Sequence, residues 1–215
     1  MVRVIAIPVK SLARAKTRLS SDLTALERAA LTLAMLEDVL DAALAVPSWE
    51  TWVVSADEVV LEVAARRGAQ PVLEEKPPLS SAIRQAERLA KEQGADALAV
   101  LPCDVAMVTV EALTTALRTL GPVVIARSGE DFGTSLLLRR PPRAIPARFG
   151  PESFRRHLDL ATARGLPTAV IERPELSFDL DGPGDILVLR ATGRRGRTRE
   201  VCLDMDLTER LKAYA

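Results

Sequence analysis

The 215-residue chain is predicted to be an α/β protein with a mostly parallel sheet flanked by helices. Three observations predict this. Short apolar or β-branched runs alternate along the chain with longer segments of helical period, and such alternation demands a parallel or mostly parallel sheet covered on both faces. Gly or Pro stands at segment ends where helices stop or start. The run DALAVLP (96–102) is apolar after its first residue, as a strand buried on both sides should be.

The elements follow in order. VRVIAIP (2–8) is a strand closed by Pro8, and TALERAALTLAMLEDVLDAALAV (24–46) is a long helix with Thr24 as N-cap and Glu27 three residues on. TWVVSA (51–56) is a strand, DEVVLEVAARRG (57–68) a helix ended by Gly68, AQPVLEE (69–75) a short strand, and SSAIRQAERLAKEQG (80–94) a helix ended by Gly94. After DALAVLP come a helix from Thr109, strands PVVIAR (122–127) and GTSLLLRR (133–140), and the helix PESFRRHLDLATARG (151–165) with Pro151 in its first turn. FDLDGPGDILVLRATG (178–193) reads as a strand end, a turn and a short helix, GRRGRTRE (193–200) as a solvated basic loop, and DLTERLKAY (206–214) as a last helix. No repeat, low-complexity tract or linker interrupts the chain. A single domain over 1–215 is therefore expected, with an irregular basic tail from about 190.

Composition bounds the partners. With 48% hydrophobic and 27% charged residues the chain can bury a full core. Lys plus Arg and Asp plus Glu are 29 each, so nothing in the global charge points to nucleic acid or a membrane surface, and any anion site must be local. Cys103 and Cys202 stand far apart without a CxxC or a His at ligand spacing, which excludes a disulfide framework or a zinc site and fits a reduced cytoplasmic protein. MVRVIAIPV is too short for a signal peptide, and no apolar stretch approaches the roughly 20 residues of a membrane helix. The apolar first helix is a candidate surface for a homodimer.

In open α/β sheets ligands bind beyond the carboxyl ends of the strands, and three stretches fall there. The first carries Lys10, Arg14, Lys16 and Arg18 within nine residues, with no acid before Asp22. A loop between a first strand and a first helix already favours phosphate, so a nucleotide triphosphate is the expected ligand, with a solvated basic loop as the competing reading. Neither GxxxxGK[ST] nor GxGxxG is present. The second is PCDVAM, where Asp104 emerges from the apolar strand, either to hold a hard metal ion against phosphate oxygens or to shape a turn before Thr109. The third is DLDGPGD, where Asp179 and Asp181 alternate in a strand-like segment and would face one ion together, with Asp185 on the following helix. Carboxylates beside a cationic loop suit magnesium, which keeps water and substrate phosphates among its ligands.

Further along, Gly150 and Ser153 begin a helix and Gly133, Thr134 and Ser135 begin a strand, either as anion-binding or hydroxyl-lined walls or as ordinary turns. His157, the only histidine, is expected at the surface or in helix packing, and Cys103 in the core.

Taken together, VKSLARAKTRL, LAMLEDVLDAA, LPCDVAMVT, GTSLLL, RFGPESFRRHLDLATARGL and SFDLDGPGDI resemble, in order and spacing, the family of 2-phospho-L-lactate and phosphoenolpyruvate guanylyltransferases, over residues 3 to about 190. The resemblance implies a nucleotide-diphospho-sugar transferase type of α/β fold and transfer of GMP from GTP to a small phospho-acid, with loss of pyrophosphate, in coenzyme F-420 biosynthesis. It implies that Lys10, Arg14, Lys16 and Arg18 form the nucleotide-phosphate loop and that Asp104, Asp179 and Asp181 bind Mg2+, with Lys16 and Asp104 catalytic. Thr134, Ser135, Gly150 and Ser153 would hold the acceptor. The chain departs from the family pattern in PCDVA for the usual Pro-Ala-Asp-Leu-Pro, in GTS for Gly-Thr-Asn, and in Leu79-Ser80-Ser81 where Leu-Asn is common, which puts Ser80 on the nucleotide side. The alternatives are a nucleotidyltransferase of the same fold using 3-phosphoglycerate, a sugar phosphate or molybdopterin, and a non-catalytic GTP-binding protein.

Overall fold

The computed structural model describes residues 1–129 and 132–211. Strands β1 (Val2–Pro8), β2 (Glu50–Ser55), β3 (Gln70–Leu73), β4 (Ala95–Val100), β5 (Val123–Arg127), β6 (Thr134–Arg139) and β7 (Thr168–Ile171) form a seven-stranded sheet in the order β3-β2-β1-β4-β6-β5-β7. β6 is antiparallel to both its neighbours, β4 and β5, and the remaining pairs are parallel. The helices are α1 (Ala25–Leu44), α2 (Glu58–Arg67), α3 (Leu79–Glu92), α4 (Val110–Arg118), α5 (Ser153–Thr162), α6 (Pro174–Ser177), α7 (Pro183–Ala191), α8 (Arg197–Asp204) and α9 (Leu207–Arg210).

The two-residue period of the strands sorts their side chains into two layers. Ile5, Ile7, Val53, Ala97 and Ala99 pack on one face with Leu36, Val39 and Leu40 of α1, Val60 of α2 and Leu113 of α4. Val4, Ala6, Trp52, Val54, Leu98 and Val100 pack on the other with Ala82, Ile83 and Ala86 of α3. Both faces are covered, as the apolar strand sequences require. Caps set the helix starts: Thr24 and Glu27 form a capping box on α1, and the side chains of Asp57 and Thr109 accept first-turn N–H groups of α2 and α4. Gly68 closes α2 at φ 91, in the left-handed region that a side chain disfavours.

The strand order carries the functional consequence. From β1 the chain steps outward to β2 and β3, then returns to the other side of β1 as β4. The connections diverge at β1 and β4, and this reversal opens a crevice outside their carboxyl ends.

Three expectations change. The stretch after Gly165, to which the sequence pattern assigns no element, forms β7 and α6; its short, polar-flanked runs have too weak a period to stand out. The basic stretch around Gly193–Glu200 is not a solvated loop: from Arg197 it is α8, packed on α1 with Thr198 and Cys202 buried. A helix formed largely of polar residues is stabilised here by two acids of α1: Glu37 pairs with Arg197 at 3.2 Å, and Asp38 meets the first-turn donors. Asp38 accepts from the Arg197 and Thr198 N–H groups at 2.8 and 2.9 Å and from the Thr198 hydroxyl at 2.6 Å. The apolar face of α1, a dimer surface on the sequence pattern, is buried within the chain through Leu31, Met35, Leu36, Val39 and Leu40. The expected last helix is α9, and its predicted end at Lys212–Tyr214 lies outside the described residues. Among the described residues no helix is long and apolar enough to cross a membrane.

Removing the Asp38 carboxylate strands three donors at the start of α8. Asp38→Ala should lower unfolding free energy by about 1–3 kcal/mol in urea melts, and an unchanged midpoint would show that α8 is held without Asp38, by its packing and the Arg197–Glu37 pair.

Candidate functional site

The basic loop leaves β1 at Pro8 and crosses the crevice in two single-turn 3-10 helices, Leu12–Arg14 and Thr17–Leu19. Ala15 and Leu19 are buried and pin it to the core, while Arg14 and Arg18 remain exposed. Asp57 fastens its near end: Oδ2 accepts from the Leu12 N–H at 3.0 Å while Oδ1 caps α2 through the Val59 N–H at 3.2 Å. Between the two short helices Lys16 adopts φ 48, ψ 45, a left-handed conformation that costs a non-glycine residue energy and persists only where its surroundings enforce it.

What enforces it is a pair of carboxylates. The Lys16 ammonium donates to Asp104 Oδ2 at 3.1 Å and to Asp181 Oδ1 at 2.8 Å, and Arg18 donates to Asp181 Oδ2 at 3.0 Å. Asp104 stands just beyond β4, and its backbone carbonyl accepts from the Leu180 N–H at 3.1 Å, which draws the 178–182 segment alongside. That segment is a loop rather than the expected strand. Asp185 lines an adjoining cavity with Arg18, and its Oδ2 accepts from the Asp181 and Gly182 N–H groups at 2.8 and 2.7 Å, which shapes the turn into α7.

The Lys16 side chain is 8% exposed. Burial alone would lower its pKa, but the two carboxylates outweigh burial and raise it, so Lys16 stays charged. Burial works in the opposite direction on Asp181, and Lys16 and Arg18 prevail there too, holding its carboxyl below the usual range. Around this knot lies a cavity of about 240 Å³ lined by Lys10, Arg14, Lys16, Arg18, Cys103, Asp104, Asp181 and Leu79. All four expected cations are therefore brought to one place. Cys103, expected in the core, lines this cavity; burial of the thiol and the Asp104 charge push its pKa up to about 12, so it is no nucleophile at neutral pH.

Two further groups are placed differently. Asp179 lines an adjoining cavity with Asp181, Arg18 and Gly129, where a Cβ on Gly129 would come within 2.6 Å of Asp179 Oδ1. Ser80 is exposed in the first turn of α3, beside Leu79. Thr134, Ser135, Gly150 and Ser153 do not line the cavity around Lys16. Three of their hydroxyls are buried: Ser153 donates to Thr134 Oγ1 at 3.0 Å, and Ser135 to the Ala126 carbonyl at 3.3 Å. Gly150, exposed at φ 115, turns the chain so that its carbonyl accepts the Ser153 N–H at 3.0 Å. His157 completes this set. It is fully buried; Nε2 accepts from the Arg148 N–H at 2.8 Å, which leaves the proton on Nδ1, 3.0 Å from Thr134 Oγ1. It thus ties the 148–153 turn to β6. Burial, with Arg139 and Arg156 nearby, lowers its pKa to about 3.

Residues 2–212 match the family model described as "Guanylyl transferase CofC like". The chain belongs to the CofC-like guanylyl transferase family. Curated relatives carry three acceptor names. A phosphoenolpyruvate guanylyltransferase of Rubrobacter xylanophilus is 40% identical over 87% of this chain and 93% of its own length. A 3-phospho-D-glycerate guanylyltransferase of Phenylobacterium zucineum is 35% identical over 89% and 91%, and a 2-phospho-L-lactate guanylyltransferase of Methanothermobacter thermautotrophicus is 35% identical over 89% and 86%. The fold is that of a protein from Desulfovibrio desulfuricans G20 described as a nucleotide-diphospho-sugar transferase, with a TM-score of 0.81 at 17% identity, covering 100% of this chain and 99% of that one. As a member of this family the chain is a nucleotidyltransferase.

Sequence reading of this CofC-like chain misses Asp57, whose position just before a helix signals a cap but not a second duty to the loop. It also misses the role of His157, because a buried partner 23 residues away leaves no local pattern. As for a metal, among the described residues no three His, Cys, Asp or Glu side chains cluster at ligand spacing. Asp104 and Asp181 nevertheless converge on one cation, the Lys16 ammonium, so the donor set fits a hard divalent ion whose other ligands are phosphate oxygens and water.

The neutral His157 imidazole stabilises the fold above the unfolded-state pKa of about 6.5, and that contribution is lost as pH falls toward about 3. Stability should therefore decline across this window by up to about 1.4 kcal/mol per pH unit, and the non-titrating His157→Gln should lose that component of the slope. Superimposable slopes for the two proteins would refute this assignment.

Proposed function

We propose that this chain transfers GMP from GTP to the phosphate of a small phospho-acid with release of pyrophosphate, and that the product serves coenzyme F-420 biosynthesis. The observation that carries the reading is the convergence of Lys10, Arg14, Lys16 and Arg18 with Asp104 and Asp181 in one cavity at the strand reversal. Phosphoenolpyruvate is the acceptor favoured by the 40% identical relative.

The chemistry is an in-line displacement. An oxygen of the acceptor phosphate forms a bond to the α-phosphorus of GTP, the bond to the bridging α–β oxygen breaks, and its electron pair leaves with pyrophosphate. No enzyme nucleophile is required, and none is offered: the Cys103 thiol is protonated and both ring nitrogens of His157 are engaged. A phosphate nucleophile is already anionic near neutral pH, so no general base is needed either. The chain's contribution is to position the two substrates and to neutralise charge. Lys10, Arg14 and Arg18 would bind the triphosphate, and Lys16 would donate to the oxygens that gain charge as the leaving group departs. Ser80, at the first turn of α3, would add a hydroxyl on the nucleotide side. Asp104 and Asp181 would hold Mg2+, with Asp179 beside them, and the ion would supply further charge neutralisation on the phosphates. The 148–153 turn, held on β6 by Thr134, Ser153 and His157, would bind the acceptor through Gly150 and neighbouring N–H groups, with Ser135 beside Thr134 on the same strand.

Pyrophosphate release with GTP, Mg2+ and each of the three acids in turn tests the reading; release with phosphoenolpyruvate is expected, and silence with all three would sink it. In the active pair, Asp104→Ala should lower kcat at least ~100-fold with an unchanged fold by circular dichroism, and retained turnover would remove Asp104 from the mechanism. Lys16→Ala should raise KM for GTP and lower kcat together, whereas unchanged values for both would leave the basic loop a merely solvated one.

A further inference from the structure

Beside the cation-lined cavity lies a second, of about 560 Å³, whose walls include Lys10, Arg14, Glu74, Pro77, Pro78 and Leu79. Lys10, Arg14 and Leu79 line both, so the two adjoin at the loop and at the start of α3. On the guanylyl-transfer reading above, a triphosphate among the four cations leaves its nucleoside end to this second space, whose proline and leucine walls suit the faces of a base.

Glu74 is the acid on those walls, and its surroundings are unusual. It follows β3 directly, and its N–H donates to the Ser55 carbonyl at 2.8 Å. Both neighbours are clamped by Gln85 of α3, which donates to the Leu73 carbonyl at 2.8 Å and accepts from the Glu75 N–H at 3.0 Å. The backbone on both sides is thereby fixed, yet Glu74 Oε1 is buried with no hydrogen-bond partner. A buried carboxylate oxygen without donors carries an uncompensated desolvation cost, which a ligand able to donate to it would relieve. Burial also raises the carboxyl's pKa, as expected of a group lacking donors.

We propose that Glu74 reads the guanine base. The Watson–Crick edge of guanine presents two adjacent donors, the N1–H and the 2-amino group, which the two oxygens of one carboxylate accept side by side once the Glu74 side chain turns its buried oxygen into the cavity. Adenine presents a bare acceptor at N1 and cytosine one at N3, and either would face the carboxylate with its lone pair. The site thus rejects them by repulsion as well as by lost bonds.

The test compares GTP with ITP, which keeps N1–H and lacks the 2-amino group, in pyrophosphate release with the acceptor that proves active. The unaltered protein should use ITP with kcat/KM about 10- to 100-fold lower, the worth of one charge-assisted hydrogen bond. Glu74→Gln should lose GTP efficiency by a similar factor and close most of the GTP-to-ITP gap, with KM for the phospho-acid unchanged; Glu74→Ala serves as a second variant should the amide fold poorly. Equal use of ITP and GTP by the unaltered protein, or a gap that persists in both variants, would overturn the assignment while leaving guanylyl transfer intact. No release from GTP with any of the three acids would instead bring down the parent reading, and this one with it.

Discussion

One ammonium group organises the functional end of this protein. Lys16 is nearly buried, and a buried cation is tolerated only when paired. Its partners, Asp104 and Asp181, lie 88 and 165 residues further along the chain. Three segments that share no local sequence relation are therefore tied at one point: the loop after β1, the turn after β4 and the stretch before α7. The left-handed backbone at Lys16 is the cost of turning its side chain inward between two exposed arginines. The knot is only partly stabilising in its own right, since each carboxylate is about a third exposed and part of its attraction is screened by water. Its larger effect is geometric, because it holds two acids and four bases where a phosphate chain can meet them all.

Most of this end is legible in the amino-acid sequence. The alternating elements, the mostly parallel sheet they demand, and the cluster of cations after the first strand each follow from residue type and spacing, whereas the strand order that opens the crevice does not. The position of Asp104 is similarly legible, because an apolar strand that ends in Pro-Cys-Asp must deliver its acid to the sheet's carboxyl edge. Asp181 reaches the site by a different route from the one its sequence suggests: alternation with Asp179 implies a strand, whereas the segment is a loop shaped by Asp185 and by the Asp104–Leu180 backbone bond. The residue meets the cation even so, because the buried side chains of Leu180 and Ile186 leave it little choice of direction.

What is illegible depends on tertiary partners. Nothing near Arg197 announces a helix, since its stabilisation comes from Glu37 and Asp38 on α1. Nothing near Glu74 announces an unpaired carboxylate oxygen, since that depends on Gln85 holding the chain on both sides of it. His157 is the sharpest case. A single histidine one turn into an amphipathic helix has the same local appearance whether it faces water or bonds Thr134, and only the packing of α5 against β6 decides.

The charge of the site explains how a chain of zero net charge can favour a polyanion. Around the Lys16 cavity four cations stand against two carboxylates, leaving a local excess of positive charge. The excess is local to one mouth at the strand reversal, where it favours an anion although the chain as a whole carries no net charge. The two acids are not a flaw in that arrangement. Without them the cations would repel one another and the loop would open; with them Lys16 and Arg18 are already oriented when a phosphate arrives, and little reorganisation remains for the moment of reaction. On the guanylyl-transfer reading, a site built from fixed charges, with its cysteine protonated, suits a displacement in which the nucleophile arrives already ionised. On that reading the chain would need to move no proton, only to keep two anions close enough to react.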